Sequence, residues 1–130
     1  MSGIAPLELR VIGGMRNGGN ASWPLARLVL TPNGVTLGPA HKWLAFLVPT
    51  YSFSWEQVTS VDRIRGFLGS LGLQFILNVP VEGNRISGSF LVWPKVATRP
   101  IFWIQEGDLA RTLSFVPSTL IRLTDKTVWF

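Results

Sequence analysis

Cysteine is absent from all 130 residues, and histidine occurs once, as His41. The first absence removes disulfide frameworks, thiolate nucleophiles, iron–sulfur ligation and cysteine-bound zinc together. The second leaves metal binding to the carboxylates alone, and these are scattered as Glu8, Glu56, Asp62, Glu82, Glu106, Asp108 and Asp125. A metal ion wants several converging ligands, so no metal and no cofactor is expected. Catalytic templates are missing as well. Neither Gly69-Ser70-Leu71-Gly72 nor Ser87-Gly88-Ser89 has the Gly-x-Ser-x-Gly spacing of a nucleophile elbow. No phosphate-cradling run ends in Gly-Lys-Ser or Gly-Lys-Thr, and Gly66, Gly69 and Gly72 recur without a following lysine, so they read as a turn. Glu56 and Asp62, six residues apart, have the types of a general acid/base pair. Their plainer reading is a turn residue and a solvated strand residue. The chain is therefore expected not to be an enzyme.

Long apolar runs are lacking too. The longest, Trp43 to Val48, is stopped by Pro49, whereas a membrane-spanning helix needs about 20 such residues. The opening Met1 to Glu8 has no basic stretch followed by an apolar one, so no secretory signal is expected and Asn20-Ala21-Ser22 reads as a chance sequon. The expected address is cytoplasmic, at most peripheral to a membrane. No run of four basic residues forms a tail.

What is present suits one domain. Hydrophobic residues make up 47% of the chain and charged residues 15%, which excludes intrinsic disorder as the default state. Twelve Lys and Arg oppose seven Asp and Glu for a net charge of +5, and nine of the twelve are arginine. Guanidinium groups suit planar contacts with phosphate or carboxylate, so an anionic partner is favoured.

Thirteen glycines and nine prolines punctuate the chain at short intervals, as many short strands joined by turns require. Leu7 to Ile12 alternates as a first strand or an extension, and Gly13 to Asn20 reads as a flexible loop. Leu25–Thr31 and Val35–Gly38 flank Pro32-Asn33-Gly34, a hairpin with Asn-Gly at its central positions. Tyr51–Trp55, Val58–Arg65, Leu73–Val79, Ser89–Trp93 and Ile101–Ile104 follow as strands, with turns at Glu56-Gln57, Gly66–Gly72 and Pro80–Asn84. The period changes once: Leu109, Leu113 and Val116 form a helical stripe, with Asp108 as its predicted cap and Pro117 as its stop. The chain is thus read as mostly β, a small bent barrel of six or seven antiparallel strands with one C-terminal helix. Residues 1–21 form an N-terminal strand and flexible loop, 22–117 the barrel and helix, and 118–130 a tail or added strand.

That order resembles pleckstrin-homology-like domains, including the GRAM-type and bacterial variants. Trp23 to Leu37 is similar to their opening hairpin, Val48 to Val61 to the strand and turn that follow, and Phe102-Trp103 with Asp108 to Val116 to the last strand and capping helix. The resemblance covers roughly residues 22–117 and implies a barrel of two nearly orthogonal sheets with one end plugged by the helix. It also implies binding of lipids, proteins or peptides, or service as a scaffold. One departure matters. Phosphoinositide-binding members carry basic residues in and beside the first hairpin loop, and here that loop is the short, uncharged Thr31-Pro-Asn-Gly34.

Two features are candidates for contact. Gly38 to Val48 combines His41 and Lys42 with Trp43, Leu44, Phe46 and Leu47; exposed, it is an interfacial anchor, and buried, it is a barrel strand. Arg63 and Arg65 share one strand face and, with Arg85, Lys95 and Arg99, form either a basic patch or a solvated surface. No aromatic residue interleaves with Arg63 and Arg65, so nucleic acid is not an expected partner. Six tryptophans and eight phenylalanines exceed what a small barrel needs inside. Trp43, Phe46, Trp129 or Phe130 is therefore expected in an exposed patch. The leading expectation is a non-catalytic module contacting another protein or another copy of itself; attachment to an anionic membrane is the alternative.

Overall fold

Side-chain alternation with a period of two decides most of the elements. In the computed structural model, which describes residues 8–66, 70–84 and 93–122, ten strands follow one another with one helix near the end. They are β1 (Leu9–Asn17), β2 (Gly19–Leu30), β3 (Gly34–Pro39), β4 (Thr50–Ser54), β5 (Val58–Arg65), β6 (Leu71–Leu77), β7 (Val81–Asn84), β8 (Val96–Ala97), β9 (Ile101–Ile104) and β10 (Ile121–Arg122). The helix, α1, is Glu106–Leu113. The strands form one sheet in the order β10-β5-β6-β9-β1-β2-β3-β4-β7-β8, curled into an open half-barrel. All pairings are antiparallel except β10 with β5. No helix among the described residues is long and apolar enough to cross a membrane.

The expectation of six or seven strands is too low. Of the ten, β7 and β8 fall in stretches read as turn or connection, while β1 and β10 fall where a strand was one of two readings, a first strand or extension at Leu7–Ile12 and a tail or added strand at 118–130. Two of these, β8 and β10, are two-residue strands, too short to display any period. The larger correction concerns Gly13 to Asn20, read as a flexible loop. Here β1 continues to Asn17, turns at Gly18 and returns as β2, pairing Asn17 with Gly19. Gly18 sits at φ +80°, where a side chain is strained, so this glycine makes a tight turn rather than slack chain. Pro80 to Asn84 is likewise mostly the strand β7. The strand read at Ser89 to Trp93 lies outside the described residues except for Trp93.

The predicted hairpin of β2 and β3 forms, with its turn shifted by one residue. Thr31 and Gly34 exchange backbone hydrogen bonds of 2.9 and 3.3 Å, which puts Pro32 and Asn33 at the centre. Gly34 is not in the left-handed region; a Cβ there would collide with the Phe53 carbonyl oxygen of β4. Close strand approach, not turn conformation, requires glycine at 34.

The inner face carries Val11 and Met15 of β1, Leu28 and Leu30 of β2, Leu37 of β3, Tyr51 and Phe53 of β4, and Leu73 and Phe75 of β6, all in one core cluster. Leu109 and Leu113 of α1 pack against that cluster, and Val116 is buried in it, as the helical stripe predicts. The cap differs. Asp108 lies inside the first turn, and the N-cap is Gln105, whose side chain makes no capping bond. Two buried aromatics tie the far segments to the sheet. The Tyr51 hydroxyl donates to the Pro94 carbonyl at 2.7 Å, and the Trp93 indole donates to the Leu47 carbonyl at 2.9 Å.

Candidate functional site

The connection between β3 and β4 resolves its two readings by holding both. Pro39 ends β3, and the Ala40 N–H donates to the Leu25 carbonyl. One turn of 3-10 helix then spans Lys42–Leu44. That turn points neighbouring side chains in different directions. Leu44 and Val48 are buried, Trp43 is 68% exposed and Phe46 is 41% exposed. The Trp93 indole fixes the same segment from below through Leu47. Two buried anchors and one part-buried hydrogen bond therefore hold a short turn whose aromatics face water. Exposed apolar side chains that form a contiguous patch mark interaction surfaces.

The cations lie beside it. The His41 and Trp43 rings stack, with centroids 6.2 Å apart and planes 7° from parallel. Lys42, between them in the chain, is exposed and forms no ion pair among the described residues. On the adjoining sheet face, Arg27 of β2 donates a guanidinium hydrogen bond to the Ala40 carbonyl, tying the turn to the sheet. These groups rim a cleft of about 400 Å³ lined by Arg27, Val29, Thr36, Gly38, Pro39, Ala40, His41, Lys42 and Thr50. Two cations and an imidazole line it, and among the described residues no carboxylate does. A second, uncharged cleft of about 370 Å³ lies further along the same strands, between Thr31, Thr36, Ser52 and Gln57.

Sequence reasoning missed Arg27 and Trp23. Arg27 belongs to a strand whose alternate residues are core, and only the register of β2 on β3, pairing Arg27 with Gly38, brings it to the turn. Trp23 is 55% exposed because Ser22 to Leu25 bulge out of β2 opposite Gly14 of β1. Proline at 24 was the available signal, since it lacks the N–H that a regular ladder needs.

The described members of the second predicted feature are spread over several elements. Arg63 is half-buried and Arg65 exposed on β5, which four strands separate from β3 in the sheet order. They pair with Leu73 and Leu71, whereas Arg99 leads into the Pro100 carbonyl that accepts from the Phe75 N–H. At about 3.3 Å per residue, roughly 10 Å or more of strand separates them. Lys95 lies beside β7, its carbonyl accepting from the Gly83 N–H. Arg85, Trp129 and Phe130 lie outside the described residues. The imagined acid/base pair also fails to form a site. Glu56 is exposed in the 3-10 turn Trp55–Gln57. Asp62, read as solvated, is only 4% exposed; it accepts from the Ser60 hydroxyl at 2.9 Å and faces Arg122 at 3.7 Å. Burial with those two partners gives Asp62 a structural place on β5. Among the described residues, no three acidic or histidine side chains gather as a metal site would need.

No protein-family model matches the chain, and no curated protein sequence matches it.

Proposed function

We propose that this protein is a non-catalytic binding module of pleckstrin-homology-like type that attaches to anionic membrane surfaces through the turn at residues 41–47. One observation carries the reading: the anchored 3-10 turn that holds Trp43 and Phe46 in solvent next to Lys42, His41 and Arg27. The Trp43 indole, apolar but for its N–H, favours the headgroup layer, and the Phe46 ring adds apolar area, while cations stay in the negative surface potential. Each Lys or Arg close to an anionic leaflet contributes about 1 kcal/mol, and buried aromatic area adds to it. Such an attachment is reversible and sensitive to salt.

Contact with another protein, or with a second copy, is the other reading. It draws on Trp23, which is exposed on its own bulge. Strand addition is disfavoured as its mode, because the outermost described strands, β8 and β10, are two residues long and short edges offer little ladder to extend. Flotation with neutral and anionic vesicles separates the readings. Co-migration with anionic vesicles alone supports attachment to membranes; no co-migration, together with concentration-dependent dimers in sedimentation, supports self-association instead.

A further inference from the structure

We propose that the cleft behind the turn is a binding site for the phosphate group of a phosphomonoester. Its walls are built from the outer faces of three strands. Arg27 and Val29 come from β2, Thr36 and Gly38 from β3, and Thr50 from β4. Gly38 pairs directly with Arg27, and a Cβ there would lie 2.8 Å from the Thr50 hydroxyl. The missing side chain therefore keeps the floor of the cleft open between a guanidinium and a hydroxyl.

The donor set fits a phosphate. A phosphomonoester carries about −1.5 to −2 charges near neutral pH and presents three strong acceptor oxygens. The Arg27 guanidinium has five N–H donors, of which the Ala40 carbonyl occupies one bond. Lys42 supplies an ammonium, His41 an imidazole, and Thr36 and Thr50 supply hydroxyls, although Thr36 already shares a 3.1 Å bond with Ser52. Among the described residues, no lining carboxylate opposes the anion. The volume, about 400 Å³, leaves room for the group that bears the phosphate. The site lies apart from the Thr31–Gly34 loop and uses none of its residues.

This deepens the membrane reading, because the cleft opens beside the same turn, yet it is testable without any bilayer. The intact chain is titrated with inorganic phosphate by ¹H–¹⁵N NMR against sodium chloride of equal ionic strength. Saturable shifts centred on Gly38, His41, Lys42 and Thr50 are expected. Thr50→Val and Lys42→Gln, which leave the Arg27 bond to Ala40 in place, are expected to weaken phosphate about threefold to tenfold each. Shifts reproduced by chloride, or a phosphate titration unchanged in both variants, would overturn the proposal. A second arm identifies the source. A preference for phosphatidic acid over phosphatidylglycerol vesicles of equal surface charge, lost in Thr50→Val, supports a lipid phosphomonoester as the ligand. Saturable phosphate binding without that preference supports the site for a soluble phosphoester, and vesicle flotation without phosphate binding removes the site while leaving membrane attachment standing.

Discussion

Trp103 of β9 pairs with Gly14 of β1 on one side and Gly72 of β6 on the other, so its indole lies over two positions without side chains. The same exchange of aromatic for glycine recurs where the Tyr51 ring covers Gly83. This separates glycines by what they face. At Gly13, a Cβ would collide with the Trp103 carbonyl oxygen and the Phe102 ring, both fixed in the sheet. Gly13→Ala is therefore expected to destabilise by about 1–3 kcal/mol. At Gly107, inside α1, nothing lies within 4 Å, and Gly107→Ala is expected to stabilise by about 0.5–1 kcal/mol. Tyr51→Phe deletes the hydroxyl bond to Pro94 and is expected to cost about 0.5–1.5 kcal/mol. Urea denaturation measures all three, and equal effects at Gly13 and Gly107 would contradict the packing described. None of these roles was visible in the sequence, where the glycines read as turn punctuation. A glycine that makes room for a ring has its reason on another strand, often far along the chain.

At the scale of elements, alternation and turn residues made β2, β3, β4, β5, β6 and β9 legible, and the helical spacing of Leu109, Leu113 and Val116 did the same for α1. The first half of β1 was legible as one of two readings, but its glycine-rich second half was not, because Gly13 and Gly14 pack under aromatic residues that the sequence places some ninety positions away. The connection at 39–50 was legible in composition but not in direction. Whether Trp43 or Leu44 faces the core depends on where one 3-10 turn begins. That division predicts opposite behaviour in neighbours. Leu44→Ala is expected to cost about 2–4 kcal/mol as a cavity forms, whereas Trp43→Ala is expected to change stability by less than about 0.5 kcal/mol. Thermal and urea unfolding of the two variants measure the contrast. At α1, the uncapped Gln105 is a second handle. Gln105→Ser is expected to add about 0.5–1 kcal/mol through a side-chain bond to a free N–H of the first turn.

For the whole molecule, pairing within one open, curled sheet explains how basic residues distant in sequence come to line one cleft. Arg27 meets His41 and Lys42 because β2 and β3 are hydrogen-bonded neighbours, whereas Arg63 and Arg65 sit four strands away in the sheet order. The net charge of +5 attracts anionic surfaces from a distance, but contact is local, since charge interactions are screened over about 8 Å at physiological ionic strength. The account therefore requires binding to depend on both salt and the 41–47 turn. Vesicle flotation of the wild type beside the folded double variant Lys42→Glu/Trp43→Ala tests this most directly. The predicted result is co-migration of the wild type with anionic vesicles at low salt, lost with neutral vesicles, at high salt and in the double variant. Equal flotation of both proteins, or none under any condition, would contradict it.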